Sequence, residues 1–275
     1  MLGTVAVLRR YPVKSMLGEG LRSCDVTGRG LAADRQLALV HLETGKVASA
    51  KNPRLWRALL KLSATASGPA VKIAFPDGAA MASTDPGIDA ALSEFLGLRV
   101  TLTCNVPPEA ALDRADPDEV LRAGIHARVR VESGRLGGAA PAGTFFDFAP
   151  LHLLTTSTLS QIAALSPRAT VELERYRPNI VIDATAPGFT ENDWVGRDLR
   201  LGNDLAVRII ARTPRCAIPT LEHGDLPRDT AALRVPAGHN RISAMDDFGP
   251  QPCAGVYARV LHGGRVQAGD IVRLT

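Results

Sequence analysis

A chain of 275 residues, 45% hydrophobic and 22% charged, with a formal net charge of +4, has the make-up of an ordinary globular protein, long enough for one large domain or two small ones. The charge excess is mild and Lys and Arg are spread without a basic run, so no nucleic-acid partner is expected, while a small anion held by a few converging cations fits. No apolar run approaches the roughly 18 residues of a membrane span, and the opening "MLGTVAVLRRYPVKS" has its basic residues after the apolar run, the wrong order for a secretory signal; no membrane association and a cytoplasmic location are expected.

In chain order, "GTVAVLRR", "LRSCDVT", "RQLALVHL", "AVKIAF", "LRVTLTC" and "ARVRVE" are short, Val- and Leu-rich runs bounded by turn residues, and predict strands. A helix is expected in "STDPGIDAALSEFLG", with Asp85 as N-cap, Pro86 at the first helical position and Gly97 as the stop. A short one is expected in "DPDEVLRAG", and another in "TTSTLSQIAALSP", capped near Thr156 or Ser157. "NIVIDA" and "DLAVRIIA" predict further strands. In the closing "GVYARVLHGGRVQAGDIVRLT", turns at Gly263–Gly264 and Gly269–Asp270 predict consecutive antiparallel strands, and the preceding "VPAGHNRISAMDDFGPQPCAG" reads as irregular. Many strands and few helices give a mainly β fold built from two β-barrel-like domains. Residues 105–145, rich in Pro, Gly, Ala and charge, read as a linker or flexible insertion, dividing the chain into 1–104 and 146–275.

The four cysteines, Cys24, Cys104, Cys216 and Cys253, form no C-x-x-C pair, which disfavours a zinc site or an iron–sulfur cluster. Cys216 stands out in "RTPRCAIPTL". Arg215 beside it favours thiolate over thiol, and Pro214 and Pro219 stiffen the backbone on either side. A thiolate serves a soft metal or acts as a nucleophile; a buried, inert cysteine reads the same way. Lys14 and Ser15 of "YPVKS" offer an ammonium and a hydroxyl for phosphate, or a solvated strand end. Arg35 of "GLAADRQ" could aim a fork at an anion or pair with Asp34 at the surface. Arg177 and Asn179 of "RYRPN" suit a ligand with anionic and heterocyclic parts. Thr155, Thr156 and Ser157 sit at a helix start, where free N–H groups favour anions, or simply cap it. The six histidines show no metal-ligand spacing.

Together and in this order, "YPVKS", "GLAADRQ", "RYRPNIVI", "ENDW", "LRLG", "TPRC" and "GVYA…GRVQAGDIV" resemble the two-domain MOSC family, whose second domain also occurs at the C-terminal end of molybdenum-cofactor sulfurases. The pattern is similar to that of the amidoxime-reducing and N-hydroxylamine-reducing enzymes. The resemblance implies an N-terminal β-barrel domain followed by a MOSC domain. It also implies a molybdenum cofactor (Mo-molybdopterin) lying between the two, with the Cys216 sulfur on the metal. It assigns cofactor contacts to Lys14, Ser15, Arg35, Arg177 and Asn179, less firmly to Thr155, Thr156 and Ser157, and places Arg215 beside the metal ligand. It departs from the family after the cysteine, where "PTLEHGD" replaces T-x-D-P-x-T-G, and at Cys253, where an apolar residue is usual; both lie in a stretch expected to shape the substrate mouth.

The function so implied is a molybdenum-dependent oxidoreductase that reduces N-oxygenated compounds. Electrons would come from a separate reductase or small electron carrier, the metal and its cofactor carrying the chemistry. His223, near Cys216 in sequence, is a candidate proton donor. The competing reading is a sulfur carrier or molybdenum-cofactor delivery protein that uses a Cys216 persulfide.

Overall fold

The computed structural model describes residues 1–245 and 249–275. Its centre is a closed barrel of seven strands, numbered among themselves: β1 (Gly3–Arg10), β2 (Leu151–Thr155), β3 (Ile180–Ala184), β4 (Asp198–Leu201), β5 (Leu205–Pro214), β6 (Pro250–His262) and β7 (Ile271–Leu274). Their order around the barrel is β2-β3-β1-β7-β4-β5-β6, and β6 closes the ring on β2. All neighbours are antiparallel except β2 and β3, which run parallel and are joined through the helix α1 (Thr156–Leu165). Closure leaves no free edge.

The barrel forms because the period-2 pattern of the sequence puts one apolar set inside. Along β5 the burial alternates at every residue. Leu205, Val207 and Ile209 point inward with Leu151 and Leu153 of β2, Ile180 and Ile182 of β3 and Leu199 and Leu201 of β4, all in one core cluster.

A mainly β architecture with few helices is therefore what the chain adopts. Its two halves are interlaced, however. β1 belongs to the same barrel as the strands after residue 150, and Ser23–Thr27 pairs with Gly264–Gln267. A cut at residue 104 separates sequence, not sheets. The rest of the first hundred residues forms smaller sheets around a second core that includes Val13, Met16, Trp56, Ile73 and Leu92.

Residues 105–145 are more than a linker. They carry the antiparallel ribbon Ala111–Ala115 and Val131–Arg135 around the short helix Pro117–Ala123. Asp116 caps that helix, its Oδ1 accepting from Asp118 N at 3.0 Å and Glu119 N at 2.9 Å. Ala115, Val120 and Ile125 share a core cluster with Leu60 from the first half and Ile218 and Leu221 from the second.

Other expectations also shift. The helix expected from Pro86 starts at Ile88, because Asp85 Oδ1 accepts from Gly87 N at 2.8 Å and caps the preceding turn; Gly97 at φ 65° does end it. "ARVRVE" is strand only from Val131 onward. The three closing strands exist but do not pair consecutively. β6 runs between β5 and β2, Gly264–Gln267 pairs with Ser23–Thr27, and β7 lies between β1 and β4. The stretch read as irregular opens with the end of the helix Ala231–His239, which contains Pro236, and continues into Arg241–Ser243. Its residues 246–248 lie outside the described ones. No helix among the described residues is long and apolar enough to cross a membrane.

Candidate functional site

β5 ends at Pro214, opposite Cys253 of β6, and Arg215 N donates to Pro252 O at 2.7 Å. The chain then leaves the barrel, and after three residues it tightens into the 3-10 turn Ile218–Thr220, whose Pro219 has a fixed φ. Thr220 Oγ1 donates to Ala217 O at 2.7 Å. Cys216 lies between strand end and turn, partly buried against the cluster of Ile218 and Leu221. Its flanks are held as the proline spacing predicts, and it lines a cleft with about 780 Å³ of empty space, part of it open solvent.

The cleft brings together side chains far apart in sequence. Lys14, Ser15 and Arg35 from the first half, and Arg177, Asn179, Arg215 and Cys216 from the second, all line it. Lys14 Nζ donates to Phe145 O at 2.8 Å and Asp147 Oδ1 at 2.6 Å. Ser15 Oγ accepts from Ala50 N at 3.1 Å. Arg35 pairs with Asp34 and donates to Asn179 Oδ1 at 3.2 Å, while Asn179 Nδ2 donates to Asp34 Oδ2 at 2.9 Å. The guanidinium carbons of Arg35 and Arg177 lie 4.6 and 4.3 Å from the centroid of the Tyr11 ring, within cation–π range. Ser15, Arg35 and Arg177 have φ of 65°, 46° and 55°. Left-handed backbone on residues with side chains costs about 1–3 kcal/mol each, and here it recurs on one wall, where it aims three side chains.

Several lining residues lie outside the sequence-derived set. Lys51, 6% exposed, forms an ion pair with Asp147 at 3.1 Å. Arg114 comes from the ribbon of the 105–145 segment. Phe146, His152, Arg175, Tyr176, Thr213 and Tyr257 complete the walls. Tyr176, Thr213 and Tyr257 stand inside the quoted motifs "RYRPN", "RTPRC" and "GVYA", so adjacency pointed at them. Lys51 and Arg114 had no local signal, because an isolated Lys or Arg in a polar stretch usually faces water.

Burial lowers the affinity of Lys14 and Lys51 for their protons; Asp147 opposes this, and Lys51 still falls to about 8. Burial pushes the Asp147 carboxyl up, but Lys14, Lys51 and Arg114 outweigh it and hold the carboxyl well below the usual range. Burial, with Arg215 beside it, keeps His152 neutral. A guanidinium can only donate, so His152 Nε2 accepts from Arg215 Nη2 at 2.5 Å and Nδ1–H donates to Arg177 O at 3.3 Å. Gly255 permits this arrangement: at φ 80°, a Cβ there would meet His152 Nε2 at 2.4 Å.

Three expectations change in detail. Arg215 lines the cleft, but its guanidinium is tied to the protein. Nε donates to Ala254 O at 2.9 Å, Nη1 to Tyr176 O at 3.0 Å, and Nη2 to Ala254 O and His152. It braces the wall behind Cys216. Thr155, Thr156 and Ser157 do not line the cleft. Thr155 caps α1 by accepting from Thr158 N at 3.1 Å and donates to Glu191 Oε2 at 2.7 Å; Thr156 donates to Asp183 at 2.8 Å, and Ser157 Oγ meets Thr155 Oγ1 at 3.0 Å. Glu191, fully buried, also accepts from Thr158 Oγ1 and from Gly255 N at 3.1 Å, so a carboxylate of the chain itself serves this helix start. His223 is buried away from the cleft walls; Nδ1–H donates to Leu221 O at 3.0 Å, and burial lowers its pKa to about 4. It is neutral at physiological pH and lies outside the candidate donor set.

Two buried polar atoms in the cleft walls, Arg177 Nη1 and Thr213 Oγ1, have no hydrogen-bond partner among the described residues. Buried donors are ordinarily satisfied. Among the described residues, the walls carry several cationic side chains against one carboxylate, Asp147, and the soft sulfur of Cys216. This donor set fits an anionic ligand that brings phosphate oxygens and a metal accepting one thiolate.

No curated protein matches the chain. Among solved structures, the YuaD protein of Bacillus subtilis aligns at 12% identity over 100% of this chain and 96% of that one, with a TM-score of 0.45. YiiM of Geobacillus stearothermophilus aligns at 17% identity over 46% and 54%, with a TM-score of 0.32. The MOSC N-terminal beta barrel domain matches residues 2–98, and the MOSC domain matches residues 141–273. The MOSC family is associated with molybdenum-cofactor binding and chemistry. With both of its parts matched in order, the chain belongs to the two-domain MOSC family.

Proposed function

We propose that this protein is a molybdenum-cofactor-dependent oxidoreductase that reduces N-hydroxylated compounds. One observation carries the reading: Cys216 opens onto the same cleft as cations from both halves of the chain, and that cleft holds buried donors without partners among the described residues. Lys14, Arg35 and Arg177 would hold the phosphate of the cofactor and Asn179 its polar ring edge, with Cys216 as the protein ligand to molybdenum. When bound, the cofactor supplies the two-electron couple for breaking an N–O bond.

The net reaction converts R–NHOH, two electrons and two protons into R–NH2 and water. The electrons come from a separate donor protein, whose identity the reading leaves to experiment. The chain orients and shields. Arg215 and neutral His152 lock the strand end that carries Cys216. Arg175, with no exposed surface, donates to Leu221 O at 3.1 Å and Pro227 O at 2.8 Å and holds the turn behind it. Phe146 and Tyr257 line the cleft and would limit the water around the reacting bond.

The test is elemental analysis of protein made in a molybdenum-replete host, comparing the native chain with Cys216→Ala, together with turnover of N-hydroxylated compounds by a chemical reductant. Near-stoichiometric molybdenum, lost in the variant, and turnover by the native protein are expected. Labile sulfur without stoichiometric molybdenum would favour the sulfur-carrier reading instead. Molybdenum retained in Cys216→Ala would give the cysteine a structural role.

A further inference from the structure

The cationic residues of the cleft differ in what they are already doing. Arg175 and Arg215 donate chiefly to backbone carbonyls. Lys14 and Lys51 share Asp147, and Arg35 is divided between Asp34 and Asn179. Arg177 is buried, with one nitrogen unpartnered among the described residues. Arg114 alone among these cations is exposed at the rim, and among the described residues it makes no ion pair or side-chain hydrogen bond. Its fork is unspent and in contact with water.

Its placement is fixed. Ala115 N donates to Lys51 O at 3.0 Å, pinning the end of the ribbon beside Lys51. Ala115 and Val120 share a core cluster with Ile218, against which Cys216 packs. Arg114 therefore lines the same cleft as Cys216 while exposed to solvent, on a stretch between the two matched domains. Its guanidinium is open to a small molecule from solvent, and a guanidinium fork matches a carboxylate in two parallel hydrogen bonds.

We infer that Arg114 selects N-hydroxylated substrates bearing a carboxylate, by pairing with that carboxylate at the cleft rim while the N–OH end points towards Cys216. The inference rests on the reductase reading above and deepens it to a substrate class. A charge-assisted contact of this kind contributes roughly tenfold or more to discrimination. The loss should fall mainly on KM, because the carboxylate takes no part in the bond that breaks and the contact is made equally before and during reaction.

The experiment uses holoprotein from a molybdenum-replete host, reduced methyl viologen as electron source, and two probes, phenylhydroxylamine and its para-carboxylate. The native protein should favour the carboxylate in kcat/KM. Arg114→Ala should cut that preference about tenfold, mostly through KM, and Arg114→Lys should restore part of it. Arg122→Ala, on the same segment, should leave the ratio unchanged. Calorimetric binding of para-aminobenzoate, the carboxylate product, should weaken in Arg114→Ala to a similar degree, without turnover. Equal handling of the two probes by the native protein, or a parallel loss for both in Arg114→Ala, overturns the inference and leaves the reductase reading standing. Failure of the native protein to reduce either probe removes both.

Discussion

Two places in this chain look equally suited to an anion, and they turn out opposite in kind. The start of α1 has three hydroxyl residues, free N–H groups and a helix dipole. Its needs are met from within, because the buried Glu191 carboxyl takes two threonine hydroxyls and Gly255 N. The Cys216 cleft also gathers donors, but among the described residues it leaves Arg177 Nη1 and Thr213 Oγ1 without partners and Arg114 uncommitted. A polar cluster that completes itself supports the fold; one left incomplete is available to a ligand. The comparison separates stability from binding, and substitutions on either side should confirm or break that separation.

The largest effect is expected from Glu191→Ala. It strands two buried hydroxyls and one N–H, and at roughly 1 kcal/mol or more for each unsatisfied donor the loss is about 3 kcal/mol. Chemical denaturation should show this fall, while binding of pyrophosphate by the remaining folded protein should stay as in the native chain. A loss of pyrophosphate binding at fixed folded fraction would mean that the helix start belongs to the ligand site after all.

Arg177→Met should do the reverse. Burial lowers the Arg177 pKa to about 10, so an unpaired buried charge is being carried at some cost to the fold. Both residues suffer the same left-handed backbone, so strain is unchanged. Pyrophosphate affinity should fall about tenfold, the worth of one charge-assisted bond, while the melting temperature holds or rises. A drop in melting temperature of more than a few degrees would show that the stacking on Tyr11 dominates, and the cleft would lose its claim to spare donors.

A smaller effect is expected at Glu172, which ties Arg168 to Arg175 behind the Cys216 turn. Burial raises the Glu172 carboxyl, but hydrogen bonds from Arg168 and Arg175 outweigh it and bring it to about 2. A carboxyl lowered in the folded state adds stability above its ordinary pKa near 4.5, and loses it as pH falls towards 2. In that window the unfolded chain binds more protons. Part of the side chain is in water, so screening trims the contribution to about 1–2 kcal/mol. Glu172→Gln should flatten the acid limb of stability between those pH values; an acid limb unchanged in the variant would show that the pair contributes nothing.

Much of this was legible in the sequence because it is local. Period-2 alternation in "GTVAVLRR", "NIVIDA" and "DLAVRIIA" placed barrel strands at Gly3–Arg10, Ile180–Ala184 and Leu205–Pro214, since alternation is a property of adjacent residues. The run "DPDEVLRAG" announced a short helix for the same reason, and it forms at Pro117–Ala123. Motif order identified the family, and with it Lys14, Ser15, Arg35, Arg177, Asn179 and Cys216, which the structure brings to one cleft.

Tertiary structure alone decided the rest, because it turns on which distant groups meet. Strand pairing across more than 170 residues of sequence, as of β1 with β3, leaves no mark on either strand. Whether a cation is spent or spare depends on its partner: Arg215 is consumed by Ala254, Tyr176 and His152, and Arg114 by nothing described. The hydroxyls of α1 looked available until Glu191, more than thirty residues on, was seen to fill their need. The chain's order of residues sets each local conformation and the inventory of charges; only folding sets the distances at which those charges satisfy one another or wait for a ligand.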